Sequence, residues 1–229
     1  QGDRRLRLGI AGGEWKKMMA DATARTRFAS EVKKIIEQYD FDGVDFDFEW
    51  PANASEYNNY SATVIQMRST LGKYVYFTAS LHPVSFKISP EAIDALDFIS
   101  YQCYGPAVMR FPYEQFVKDG EAAVAYGIPK NKLVMGVPFY GSTGSLIAAY
   151  CDFVNDGLAT TNEDTYTYKG NTYTFNSIET IRKKARYVCE EDYAGIMSWD
   201  LATDIDITNN KSLLKVIKEE FEYYANPTE

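Results

Sequence analysis

The ten residues Asp42-Gly43-Val44-Asp45-Phe46-Asp47-Phe48-Glu49-Trp50-Pro51 constrain this chain more than any other stretch. Side chains of an extended strand alternate between two faces, so Asp45, Asp47 and Glu49 share one and Val44, Phe46 and Phe48 the other. So bulky an apolar face belongs against helices, as in a parallel sheet, and the acidic face then turns into a barrel interior. Successive acids on that face stand roughly 6.6 Å apart, two strand rises. Mutual repulsion and burial raise carboxylate pKa values, so one of the three is expected to keep its proton near neutral pH and act as a general acid.

No Lys, Arg or His lies between Asp40 and Pro51. A purely structural role for three acids is therefore costly, because buried charge without a nearby cation is unfavourable, and perturbed carboxylates of this kind gather at active sites. Metal binding is the main rival use. Hard-cation sites in barrels draw ligands from several strand ends and often add His, whereas these acids stand on one strand and the only histidine is His82. Neither a metal nor a cofactor is expected.

Around that strand the chain alternates apolar runs with helical patterns. Leu6 to Ile10 reads as a strand entering the tight Ala11-Gly12-Gly13 loop, and Phe28, Val32, Ile35, Ile36 and Tyr39 mark a helix feeding the acid strand. Ser55 is positioned to cap a helix through Tyr57, Tyr60, Val64, Met67 and Leu71 that stops at Gly72. Further strands are read at Tyr74 to Leu81, Asp97 to Tyr104, Leu133 to Tyr140 and Tyr193 to Trp199. Helices are read from Ser89-Pro90-Glu91, over Phe116 to Tyr126, over Ser177 to Cys189, and through Leu213, Leu214, Ile217 and Phe221. The exception is 141–176, polar and rich in Thr, Tyr, Asn and Gly, where Thr165 to Phe175 reads as a hairpin about Lys169-Gly170-Asn171. Six β/α units in this order predict an α/β fold with a parallel sheet, two units short of a closed eight-fold (β/α)8 barrel. An open arc exposes edges, so upstream sequence or association is expected to cover the gap.

Composition narrows the partners. A chain of 229 residues with 45% apolar content is expected to form one domain over 1–229. A net charge of −8 argues against nucleic acid, which requires a basic stripe. Of 18 Tyr, 13 Phe and 3 Trp most belong in the core, and the exposed remainder suits stacking on sugar faces. Cys103, Cys151 and Cys189 form no CxxC motif and allow at most one disulfide. No apolar run is long enough to span a membrane, and the start has no signal-peptide pattern, as for a processed or cut chain. Sequons at Asn53, Asn59 and Asn210 carry little weight. With no Gly-x-Ser-x-Gly elbow and a single His82, a triad or zinc site has little to build on, and His82 reads as a satisfied strand-end residue. Oligomeric state is left open.

The pattern Asp-x-x-Asp-x-Asp-x-Glu, held by Asp42, Asp45, Asp47 and Glu49 after Phe41, resembles the signature of glycoside hydrolase family 18, the chitinases and endo-β-N-acetylglucosaminidases. The resemblance implies a (β/α)8 barrel of which this chain supplies strands three to eight, with 141–176 an insertion between the seventh and eighth. It implies Glu49 as acid and base, Asp47 as the holder of the substrate's acetamido N–H, Asp45 as the group that tunes both, and Tyr104 as a donor to the acetamido oxygen. Trp199 resembles the floor beneath the reacting sugar and Tyr140 a substrate contact, with Gln102 and Trp50 as further substrate-binding positions. Asp42, of opposite parity, reads as a structural anchor. Gly105 stands where chitinases commonly carry Asp, Gln102 where Met is frequent, and Ala11 where Ser is usual.

Three functions are compatible with this reading. The first is substrate-assisted retaining hydrolysis of β-1,4-linked N-acetylglucosamine polymers; the second is the same chemistry on glycoprotein N-glycans. The third is a glycan-binding barrel with little turnover, which the presence of Glu49 counts against. The expected partner is an oligo- or polysaccharide containing N-acetylglucosamine, and the expected location is secreted, periplasmic or on the cell surface.

Overall fold

The computed structural model describes residues 4–105, 108–159 and 161–226. Strand β1 (Arg7–Ile10) leads to α1 (Trp15–Ala20) and α2 (Ala22–Tyr39), whose first turn is capped by the Asp21 carboxylate. Next come β2 (Gly43–Phe46) and α3 (Ala54–Leu71). The cap of α3 is Asn53, which accepts from Glu56 N–H; Ser55 lies inside the first turn. Starting there satisfies two donors at once, because the Glu56 carboxylate accepts from Ala52 N–H at 2.8 Å. Strand β3 (Tyr76–Leu81) is followed by α4 (Pro90–Ala95), capped by Ser89 as its Ser-Pro-Glu start predicts. Then β4 (Phe98–Tyr101) runs to α5 (Tyr113–Tyr126), which ends at the left-handed Gly127, and the chain enters β5 (Leu133–Pro138).

The segment after β5 has more structure than a polar loop with a hairpin. It holds β6 (Tyr140–Ser142), β7 (Ile147–Ala149), α6 (Tyr150–Asn155), β8 (Thr165–Tyr168) and β9 (Asn171–Thr174). The four strands form an antiparallel sheet in the order β7-β6-β9-β8. Its core is aromatic: fully buried Phe153 meets the rings of Tyr166, Tyr168, Tyr173 and Phe175 at centroid distances of 5.6, 5.8, 5.4 and 5.4 Å. Alternate aromatics on two short strands supply the burial that an average over polar composition conceals. The chain closes with α7 (Ile178–Glu190), β10 (Gly195–Trp199) and α8 (Leu213–Ala225).

The main sheet is parallel throughout and ordered β1-β2-β3-β4-β5-β10. β1 and β10 are its edges. Behind it, Val44, Phe46 and Phe48 are buried, with Phe46 at 4.9 Å from the Phe77 ring and Phe48 at 5.8 Å from Trp15. Each such burial is worth roughly 1.5–3 kcal/mol, and together they fix the strand's parity, so the acids face the other way. Among the described residues no helix is long and apolar enough to cross a membrane, and all three cysteines are free thiols.

Candidate active site

β2 lies between β1 and β3, pairing Asp45 with Gly9 on one side and Thr78 on the other. The ladder ends at Phe46, but Asp47 N–H still donates to Ile10 O at 2.9 Å. The extended path therefore continues beyond the strand, and Asp47 and Glu49 keep the parity of Asp45. Asp42, at the start, accepts from Leu6 N–H at 2.6 Å, an anchor between β1 and β2.

The three acids sit in different surroundings. Asp45 is deepest: it accepts from the Thr78 hydroxyl and from Ser80 Oγ at 2.9 Å, with Arg7 Nη1 at 3.5 Å. Burial raises its pKa, and the two hydroxyls and Arg7 oppose the rise. Asp47 is pushed up to about 6, first by burial and then by the charges of Glu49 and Asp45, against a hydrogen bond from Gln102. Glu49 is exposed at the mouth. Gln102, just past β4, donates through one Nε2 to Asp47 Oδ1 and Glu49 Oε1, each at 3.2 Å.

The aromatic wall comes from the exit of β4, the start of β6 and the end of β10. Tyr104 is buried, its hydroxyl donating to the Met197 sulfur at 3.4 Å. The site for its ring depends on Gly136 of β5, where an added Cβ would lie 2.8 Å from Tyr104 Cε1 and 2.6 Å from Tyr101 O. Tyr140 stands edge-on to Tyr104, ring centroids 6.4 Å apart, and is backed by Phe111 at 5.6 Å. Trp199, the last residue of β10, is 55% exposed. The Trp50 ring rests on His82 at 4.8 Å, and its Nε1 is buried without a partner among the described residues.

These residues converge. A cleft of about 260 Å³ is lined by Asp47, Glu49, Trp50, His82, Gln102, Tyr104, Gly105, Tyr140 and Trp199. A second cavity of about 460 Å³ shares Asp47, Gln102, Tyr104 and Trp199 with it and reaches Asp45, Arg7 and Met197. Seven of the eight candidate residues thus line the cleft, and Asp45 lies beneath it. Four others stand at or beneath the site: Arg7, Thr78 and Ser80, which sequence reasoning passed over, and His82, which it read as structural. Three of those carried a readable signal, since Thr78, Ser80 and His82 are alternate polar positions in the apolar run of β3 and its exit. Arg7, 38 residues before its acid, carried none.

His82 is the satisfied strand-end residue that the sequence predicts, buried just past β3. Its Nε2 lies 2.9 Å from Tyr104 O and 2.8 Å from Gly105 O, and Nδ1 is 3.2 Å from Val84 N. Burial lowers its pKa, with the two carbonyls and Asp119 opposing and Arg110 adding to the fall. Among the described residues no group of three or more His, Cys, Asp and Glu side chains is arranged to hold a metal ion.

The sequence profile of the Glycosyl hydrolases family 18 matches residues 4–204. The chain belongs to this family. Its relatives include the "Probable chitinase 2" of Drosophila melanogaster, 23% identical over 95% of this chain and 60% of that protein. Another is the "Class V chitinase" of Arabidopsis thaliana, 24% identical over 86% of this chain and 69% of its own length. The chain thus spans 60% and 69% of these two relatives. A crystal structure of a family 18 chitinase from Flavobacterium johnsoniae superposes with a TM-score of 0.80 at 26% identity, covering 95% of this chain and 74% of its own.

Proposed function

We propose that this chain carries the catalytic site of a retaining, substrate-assisted glycosidase acting on β-1,4-linked N-acetylglucosamine glycans, chitin or its oligomers. The observation that carries the reading is the vertical arrangement at the cleft: exposed Glu49 above Asp47, the two joined by one Gln102 amide, over a deep and hydrogen-bonded Asp45.

Retaining hydrolysis of the ordinary kind needs a second carboxylate as nucleophile, and family 18 is the exception in which the substrate's 2-acetamido oxygen takes that place. Glu49 protonates the departing glycosidic oxygen as the acetamido oxygen bonds to the anomeric carbon, giving an oxazolinium ion. The Glu49 carboxylate then takes a proton from the water that opens it. Asp47 accepts from the acetamido N–H in place of Gln102, while Asp45, held by its hydroxyls and Arg7, tunes the proton distribution from beneath. Tyr104 turns its hydroxyl from the Met197 sulfur to the acetamido oxygen, Trp199 provides the floor, and Tyr140, Trp50 and Gln102 line the sugar's path.

In the same reading the six β/α units correspond to strands three to eight of an eight-fold barrel, 1–229 is one catalytic domain, and 141–176 is an insertion within it. The free edges at β1 and β10 support this, as does the quarter of the Flavobacterium chain left unmatched. A polymeric substrate of this kind places the protein outside the cytoplasm.

The test is hydrolysis of fluorogenic N-acetylglucosamine oligomers by the chain and by Glu49→Gln, with binding measured in parallel. Turnover lost with binding retained supports the proposal. Binding without turnover in the parent favours a glycan-binding barrel, and turnover only on glycoprotein N-glycans favours the endoglycosidase.

A further inference from the structure

We infer that His82 is the positioning residue for Tyr104, clamping the backbone that carries it and tying that backbone to the loop of the catalytic acid. The inference rests on the proposed reaction and deepens it.

β3 lies between β2, which carries the acids, and β4, which leads to Tyr104. His82 is the first residue past β3 and is 1% exposed, so its ring stands between the two halves of the site. The last backbone bonds before Tyr104 are Gln102 N–H to Leu81 O and Cys103 N–H to Tyr101 O, both 2.8 Å. Beyond them the chain leaves the ladder and turns at Gly105 with φ +48°, a conformation that glycine adopts without strain. Tyr104 is therefore held from outside the ladder, and the hydrogen bonds described for the Tyr104 and Gly105 carbonyls both come from His82.

The protonation pattern of the ring follows from its partners. Val84 N–H can only donate, so Nδ1 presents its lone pair to it, and the proton sits on Nε2 between the two carbonyls. Every polar atom of the neutral imidazole is used, leaving none for proton transfer to a substrate. The ring also packs at a tilt against Trp50, the residue after Glu49, with centroids 4.8 Å apart. One side chain thus fixes the distance between the acid's loop and the tyrosine whose hydroxyl must meet the acetamido oxygen. Displacements of about 1 Å at such a point are worth up to ~100-fold in rate.

A double-mutant cycle tests this. His82→Phe keeps a ring against Trp50 and removes the donor; His82→Gln keeps an N–H at about the reach of Nε2. On fluorogenic chito-oligosaccharide, His82→Phe is expected to lower kcat at least tenfold, His82→Gln to recover most of that loss, and His82→Phe in a Tyr104→Phe background to cost less than a further twofold. An equal fold-loss in both backgrounds, or no recovery with Gln, overturns the inference. If His82→Phe does not fold, as judged by thermal melting, the cycle is run with His82→Ala, with the same outcomes deciding. A parent without turnover sinks the proposed reaction, yet the same cycle read as the Kd for chitotetraose against its de-N-acetylated counterpart still decides the role of His82. A loss confined to the acetylated sugar, and absent with Tyr104→Phe, upholds it; equal losses on both sugars overturn it.

Discussion

Arg7 and Asp45, 38 residues apart, meet beneath the cleft, with Nη1 3.5 Å from Oδ1. Arg7 also donates to the Thr78 hydroxyl, which in turn donates to Asp45. The deepest of the three acids therefore has a cation and two hydroxyls around it, which offset in part the burial that raises its pKa. Arg7→Met leaves Asp45 with hydroxyls alone. The expected loss of stability at pH 7 is roughly 1–3 kcal/mol, and it shrinks as pH falls because a protonated Asp45 no longer needs the cation. Urea unfolding of parent and variant at pH 7 and pH 4.5 measures the gap; a gap that widens in acid contradicts the pairing.

Asp47 offers a sharper sign. Its native pKa of about 6 lies above the ordinary value of 3.8, so ionising it opposes folding at pH values above 6 and ceases to do so as pH falls towards 4. Asp47→Asn should stabilise the chain at pH 7.5 by about 1 kcal/mol, allowing for the carboxylate's partial exposure, or roughly 2–4 °C in Tm. That gain should vanish by pH 4, while turnover falls by about 100-fold or more. Thermal melts across this range read the first part and kcat the second.

Gln102 lowers the pKa of Asp47 by donating to its carboxylate. Gln102→Leu removes that donor and the one to Glu49, so the Asp47 titration is expected to move above 6, and activity to drop about tenfold. Carbon-13 detection of the carboxyl signal against pH follows the shift directly. A downward movement rules out the hydrogen bond as the controlling contact.

Trp199 is half-exposed and ends its strand, so its side chain contributes little to folding. Trp199→Ala is expected to change stability by less than about 0.5 kcal/mol, yet to weaken chitotetraose binding about tenfold through loss of the stacking face. Calorimetric titration beside a denaturation curve separates the two effects.

Much of this molecule is written locally. The two-residue period of Val44 to Glu49 sets which side chains face the helices, because turning the strand over would expose Phe46 and Phe48 and bury acids against apolar helices. Ser89-Pro90-Glu91 announced α4 and Gly127 the end of α5, since caps and left-handed glycines act within one turn of chain. Asn53 rather than Ser55 caps α3, and that too was legible locally, since Asn followed three residues later by Glu56 is a helix-start pattern. What the tertiary structure alone decided is which distant groups meet: Arg7 with Asp45, Gln102 with two acids at once, His82 with the Tyr104 backbone, and buried Lys184 with the Phe111 carbonyl behind Tyr140. Parity and capping depend on neighbours in sequence and are legible in it. Partners 22 to 73 residues away are set by the path of the whole chain, which depends on how all the strands and helices pack together.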